Sequence, residues 1–253
     1  MIRVAAVGDV HLAPDVQRRI RPHLAGIGEH ADVLLLAGDL TQHGTVTEAE
    51  VVAAEFAGLE VPVVAVLGNH DYQCDMQDEV TALLRASGMT VLEGAGLVLD
   101  LPGGRLGVAG SKGFGGGFPG RCATEFGEPE MKAFVRHSRR LAAALGEALR
   151  DLDADFRVAL THYSPVPDTL AGEPPEIYPF LGSYFLAEAA DSANADLLIH
   201  GHAHAGSEYG TTPGGAPVRN VALPVLQRAY AVYSLGAPRA QGVNSALLGD
   251  HRL

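Results

Sequence analysis

Ile2-Arg3-Val4-Ala5-Ala6-Val7-Gly8-Asp9-Val10-His11 decides the fold: an apolar run ends in glycine, and two side chains able to bind a metal follow at once. The pattern recurs. Val33 to Ala37 leads into Gly38-Asp39, Val61 to Leu67 into Gly68-Asn69-His70-Asp71, and Leu197 to Ile199 into His200-Gly201-His202-Ala203-His204. Val158-Ala159-Leu160 precedes Thr161-His162. Short apolar runs bounded by turn residues read as strands buried on both faces. In an open α/β sheet, ligands collect beyond the carboxyl ends of the strands. The polar groups at these five ends are therefore expected to converge on one site.

Working outward, helices alternate with the first strands. One is expected near 22–30 with Pro22 in its first turn, and one from about residue 48, where Thr47 and Glu50 suit a capping box. A third is expected near 76–87, with Asp75 as N-cap and Gly88 just past its end. Such alternation argues for βαβ units and a mostly parallel sheet. From Thr90 the pattern changes. Leu97 to Leu101 and Arg105 to Ala109 flank Pro102-Gly103-Gly104 as a hairpin, and a Gly-rich stretch runs from Gly110 to Gly120. A long helix follows from Pro129 to Leu152, then strands near 156–161, 197–200, 217–222 and 229–235, with a short helix near 184–191. Pro165 to Pro179 reads as a rim loop. Two sheet regions with helices at both ends suggest an α/β chain of two packed sheets covered by helices. One domain is expected over 1–235, with 236–253 as a tail or surface extension.

Composition narrows the function. The chain has 253 residues, 47% hydrophobic, with a formal net charge of -12. That suits a folded protein with a sizeable core, and no apolar run approaches the ~20 residues of a membrane span. The amino terminus enters a strand without a basic region and long apolar stretch, so no signal peptide is expected. Cys74 and Cys122 make no disulfide framework. These features favour the cytoplasm. Nonspecific nucleic-acid binding rests on Lys and Arg. The only lysines here are Lys112 and Lys132, and Arg18, Arg19 and Arg21, like Arg136, Arg139 and Arg140, read as solvated helix faces. Duplex nucleic acid is thus a poor partner, and a small-molecule phosphate ester a better one.

Asp9 and His11 sit two apart after a strand, which places their side chains on one side, and His202 and His204 repeat that spacing. Carboxylate, amide oxygen and imidazole without thiolate suit Mn, Fe, Co, Ni or Zn better than the oxygen cages of Ca and Mg. Asp39 could bridge two ions at the ~3.5–4 Å separation of two-metal hydrolases. Any one of these segments alone is an ordinary turn or cap; the joint order of five discriminates.

That order (Asp-x-His, Gly-Asp, Gly-Asn-His-Asp, His, Gly-His-x-His over residues 9–204) resembles the calcineurin-like metallophosphoesterase superfamily. The resemblance implies a four-layer αββα sandwich and two divalent transition-metal ions. By carry-over, Asp9, His11, Asp39 and His204 would hold the first ion, and Asp39, Asn69, His162 and His202 the second. His70 would be the catalytic imidazole. The short form and the Gly-Asp-Leu-Thr-x-x-Gly run from Gly38 to Gly44 look most like the bacterial single-domain, cyclic-nucleotide phosphodiesterase-like branch.

The implied activity is hydrolysis of a phosphate ester, a small soluble phosphodiester, by in-line attack of a metal-activated hydroxide with His70 as the acid. Asp71 orients His70 or caps the turn. The rivals are a phosphomonoesterase or nucleotide pyrophosphatase on the same site, and a binding scaffold without catalysis. The scaffold is disfavoured, because no ligand segment is missing and His70 is present. Around the site, His43 reads as a substrate contact or an exposed loop residue, and His200 as a core residue. Cys74 reads as a buried thiol, and Tyr163 as lining or packing. Gly113 to Phe118 reads as a mobile flap or a plain connection. His23, His30, His137 and His251 read as ordinary helix or tail residues.

Overall fold

The computed structural model describes residues 1–16 and 19–236. Its first sheet is ordered β13-β1-β2-β3-β4, formed by β1 (Ile2–Val7), β2 (Val33–Ala37), β3 (Val63–Val66), β4 (Thr90–Val91) and β13 (Ala231–Leu235). Strands β1 to β4 run parallel and β13 closes the edge antiparallel to β1. The second sheet, β11-β12-β10-β9-β6-β5, comprises β5 (Ala95–Leu101), β6 (Gly104–Ser111), β9 (Phe156–Thr161), β10 (Leu197–His200), β11 (Tyr209–Thr211) and β12 (Pro217–Asn220). In it β6, β9, β10 and β12 are parallel, while β5 and β11 are antiparallel additions. A small ribbon pairs β7 (Gly117–Phe118) with β8 (Arg121–Cys122).

Alternation along the strands builds three buried layers. Val4 and Ala6 of β1, Leu35 of β2 and Val64 of β3 face Leu106, Val108, Val158, Leu160 and Ile199 between the two sheets. Ala5, Val7, Leu34 and Leu36 point the other way and pack on Val52 and Phe56 of the helix Val46–Phe56 and on Val80 and Leu84 of the helix Gln77–Ala86. Beyond the second sheet, Ala159, Leu198 and Val218 meet Leu145 and Leu149 of the helix Pro129–Arg150 and Leu186 and Ala190 of the helix Tyr184–Ser192. Strands covered on both faces need apolar side chains at every position, so these runs are continuous rather than alternating. The result is the expected arrangement of two large mixed sheets flanked by helices. Among the described residues, no helix is long and apolar enough to cross a membrane.

Several local expectations are corrected. The capping box uses Thr45 and Glu48 rather than Thr47 and Glu50: Thr45 accepts from Glu48 N, and the Glu48 carboxylate accepts from Thr45 N. The helix therefore starts at Val46. Asp75 is not an N-cap. It lies at φ 55, and the following helix begins at Gln77 without a side-chain cap. The helix expected at 22–30 is a 3-10 turn, Arg21–Leu24, and one α-turn, Ile27–His30, parted by Gly26 at φ 70. Cys74 is exposed, not buried. Arg21 is no solvated helix face: its guanidinium donates to the carbonyls of Glu55 and Ala57. From residue 237 the expected tail lies outside the described residues, as does Arg18.

Candidate metal centre

Loops after β1, β2, β3, β9 and β10 bring Asp9, His11, Asp39, Asn69, His70, His162, His202 and His204 together at the carboxyl edge of both sheets. Asp9 and His11 do face one place, as expected, whereas His202 and His204 do not, and strand alternation is not what aims any of them. Asp9, His11, Asp39 and His202 lie beyond the strands at φ 56, 43, 50 and 71. Left-handed backbone at a residue other than glycine costs energy and clusters at functional sites. The chain turns sharply as it leaves each sheet, and this throws the side chains inward. His202 and His204 consequently serve different groups.

Asp9, His11 and His204 each offer a ligand atom within 4.8 Å of the others, as do Asp39, His162 and His202. A third set, His11, Asp39 and His70, joins them. Asp39 is 1% exposed and lies between the groups: Oδ1 is 3.3 Å from His162 Nε2, and Oδ2 is 3.9 Å from His11 Nε2. His70 N donates to Asp39 Oδ1 at 2.8 Å, and His202 N donates to Asp9 at 2.9 Å. Glycines make room for these carboxylates. A Cβ on Gly68 would stand 2.1 Å from Asp39 Oδ1, and one on Gly201 2.2 Å from Asp9 Oδ2.

The donor chemistry at His162 fits a cation. This ring is fully buried, and its Nδ1 donates to Ala37 O at 2.9 Å. Its Nε2 therefore should carry a lone pair, yet it faces two acceptors, Asn69 Oδ1 at 2.9 Å and Asp39 Oδ1 at 3.3 Å. Three electron-rich atoms converge with no donor among them unless the ring is charged. Burial alone would lower the His162 pKa, but the Asp39 carboxylate and its hydrogen bond outweigh it and push it up to about 9. Asp39 is penalised by burial, yet His162 and the His70 N–H hold it well below the usual carboxylate range. A divalent ion in place of that proton satisfies all three atoms. The neighbouring His202 ring donates Nε2–H to Phe180 O at 3.2 Å, and burial, then the charge of His162, press it down to about 3. It is thus neutral, as a ligand imidazole must be. Burial likewise lowers His11. His204 is raised, first by its 2.9 Å hydrogen bond to Asp9 Oδ1.

His70 stands at the rim, with Nδ1 donating to Gln42 O at 2.7 Å and Nε2 3.9 Å from Asp39 Oδ2. Asp71 does not orient it. The fully buried Asp71 carboxylate instead accepts from Leu40 N, Thr41 N, Thr41 Oγ1 and Gly68 N, and so ties the β2 loop to the β3 loop. His43 pairs with Glu48 at 2.8 Å and serves the cap. His200 is a core residue, bonded to Thr169 Oγ1 and Gly201 O.

Two cavities flank the cluster. One, about 580 Å³, is lined by Asp9, His11, His204, Arg19 and Gln227. The other, about 390 Å³, opens beside Asn69 and is lined by Tyr72, Lys112, Phe114 and Tyr163. Lys112 and Tyr72 went unassigned in the sequence, and His137, read there as an ordinary helix residue, also lines this cavity. The strand-end rule could have found Lys112, since it follows β6 directly, but the glycines after it mask that strand end. Gly113 to Phe118 is hydrogen-bonded and closely packed against its surroundings. Gly116 N donates to Pro179 O, Gly117 N to Gly182 O and Ser138 Oγ to Gly115 O, and a Cβ on Gly115 would stand 2.5 Å from Pro179 O.

The profile of calcineurin-like phosphoesterases matches residues 2–206. The chain belongs to that family. It is a metal-dependent phosphoester hydrolase whose family uses two divalent metal ions, in keeping with the paired His/Asp groups. Solved structures agree on the fold. The phosphopantetheinyl hydrolase of Mycobacterium tuberculosis superposes with a TM-score of 0.62 at 17% identity, covering 87% of this chain and 88% of that one. TT1561 of Thermus thermophilus gives 0.56 at 17% identity over 87% and 88%. A putative 5′-nucleotidase from Staphylococcus aureus gives 0.57 at 17% identity, covering 87% of this chain and 48% of that one. No curated protein matches the chain.

Proposed function

We propose that the protein hydrolyses a small soluble phosphodiester at a dinuclear site. Asp9, His11, Asp39 and His204 would hold one ion, and Asp39, Asn69, His162 and His202 the other. The observation that carries the diester reading is the pair of cavities, one beside each metal position. A diester places one organic group on either side of phosphorus, whereas a monoester fills only one side. When bound, the ions supply Lewis-acid neutralisation of the phosphoryl oxygens and an activated water.

The protein's own groups do the rest. Burial and backbone hydrogen bonds fix Asp9 and Asp39 before substrate arrives, so little reorganisation is needed in the transition state. The Ala37 and Phe180 carbonyls hold His162 and His202 in single tautomers. The Nδ1–H bond to Gln42 O turns His70 Nε2 toward the cluster, where it gives its proton to the leaving oxygen.

The role of His70 has a direct test. An alkoxide leaves badly without a proton, and p-nitrophenolate leaves well unaided. His70→Ala is expected to slow alkyl and nucleoside diesters ~10²–10⁴-fold, much more than bis-p-nitrophenyl phosphate, with metal content near wild type. Equal losses for both leaving groups would remove His70 from the acid role, and lost metal would make it a ligand.

A further inference from the structure

Lys112 has no part in the chemistry above. It is one of two lysines in the chain and is only 7% exposed. An ammonium has three N–H donors and demands acceptors when it leaves water. Here its hydrogen bonding among the described residues is one long contact, Nζ to Gly113 O at 3.4 Å, and it makes no ion pair. What surrounds it is aromatic. The ring centres of Tyr72, Phe114 and Tyr163 lie 4.9, 5.0 and 5.2 Å from Nζ. Ring faces hold a cation in place without using up its N–H donors. The ammonium is therefore positioned at the wall of the 390 Å³ cavity with donors to spare.

The cavity begins where the metal centre ends. Asn69 belongs to both: its Oδ1 is 2.9 Å from His162 Nε2, and its side chain lines the cavity. The Tyr163 ring, another wall, lies 4.4 Å from the His202 ring. A phosphate ester with phosphorus at the metals would direct one of its organic groups here. The walls define that group. Three aromatic rings suit a flat one. A bare alkyl chain would leave the Lys112 donors unused. A second phosphate or a carboxylate would meet a largely apolar lining and the Glu93 carboxylate, which also lines the cavity and accepts from Ser111 Oγ and Lys112 N. An uncharged heterocycle answers all three: ring faces against the aromatics, a ring nitrogen or carbonyl accepting from Lys112, an exocyclic amine donating to Glu93.

We infer that this cavity is the base pocket of a nucleotide substrate, with Lys112 and the Tyr72, Phe114 and Tyr163 rings as specificity-determining residues. The inference rests on the phosphodiesterase reading and names the class of ester. Adenine, guanine and cytosine carry the required acceptor and amine.

The test compares two diesters that differ only in the base: the methyl ester of adenosine 5′-monophosphate and the methyl ester of ribose 5-phosphate, with Mn-loaded enzyme. The nucleotide ester is expected to win by at least ~10-fold in kcat/KM, the lower range for stacking a base on aromatic side chains. Lys112→Met and, as a second variant, Phe114→Ala should each bring the ratio toward one. A wild-type ratio near one overturns the inference, as does a large ratio that neither variant reduces.

If neither ester is hydrolysed, the catalytic reading has failed, and the pocket is judged by binding. The chain has no tryptophan, so Phe114→Trp places a single reporter in the wall. Saturable quenching by adenosine 5′-monophosphate at no more than ~1 mM, with none by ribose 5-phosphate, supports the pocket. Equal responses to both, or none to either, overturn it.

Discussion

Around Asp39, loops hold one another through charge and short hydrogen bonds; around Lys112, on the other side of Asn69, ring faces surround an ammonium with one long hydrogen bond. The cluster is fixed before anything binds. Asp71 ties two of its loops, left-handed turns aim four of its side chains, and Gly68 and Gly201 leave no room for a Cβ. The cavity is built for a visitor, since its cation keeps donors unspent. Chemistry common to any phosphate ester needs fixed charges at fixed distances. Selection among esters needs a shaped apolar wall with few polar points. The two regions divide those tasks.

Breaking the cluster at its centre should have the largest effect. Asp39→Ala removes the carboxylate that lies between the two groups, and activity is expected to fall by at least ~10³-fold with both ions weakened, in line with the several kcal/mol that metals contribute. His204→Ala should mainly weaken one ion. Metal titration of the two variants checks this, and equal, independent losses would argue against Asp39 as a bridge.

Gly68→Ala is the next step down. It keeps every ligand residue but drives a methyl against the Asp39 carboxylate and its backbone nitrogen, so Asp39 must shift. Metal affinity is expected to drop ~10–100-fold, the usual cost of disturbing what orients a ligand, while the nucleotide-to-ribose preference of the surviving activity stays as in wild type. If that preference changes with metal affinity, the two regions are not separable.

An ordinary ion pair at the far edge of the first sheet sets the baseline. Asp32 is penalised by burial, yet Arg3 lowers its pKa below the ordinary value. A depressed carboxylate pKa stabilises the fold above the unfolded value and loses that contribution as pH falls through the folded one. Asp32→Asn should therefore cost ~1 kcal/mol or less at neutral pH and nothing once pH falls below the folded-state pKa. Denaturant melts of the two proteins at neutral and acid pH give the comparison, and a cost that persists in acid would mean packing rather than charge.

The cluster was legible in the sequence because each of its loops directly follows a strand. Apolar runs gave β1, β2, β3, β9 and β10, and the polar residues after each run met as the parallel topology requires. The hairpin at Pro102-Gly103-Gly104 and the helix from Pro129 were equally plain. Side-chain direction was not, because strand alternation stops where φ turns positive at Asp9, His11, Asp39 and His202. Helix starts moved by two residues at Thr45 because several Thr and Glu residues there offer competing caps. The cavity had no motif to find. Tyr72, Glu93, the Lys112–Phe114 stretch, His137 and Tyr163 come from separate segments and meet only in the folded chain. Asp71 sits inside the most telling motif, yet its bonds to Leu40 and Thr41 depend on a loop some thirty residues earlier in the chain.

The most direct test of the dinuclear site is its metal content. Elemental analysis of purified protein after Mn addition and removal of free metal should give two ions per chain, with activity lost to a chelator and restored by Mn. One ion or fewer per chain in active protein, or activity indifferent to the chelator, would contradict it.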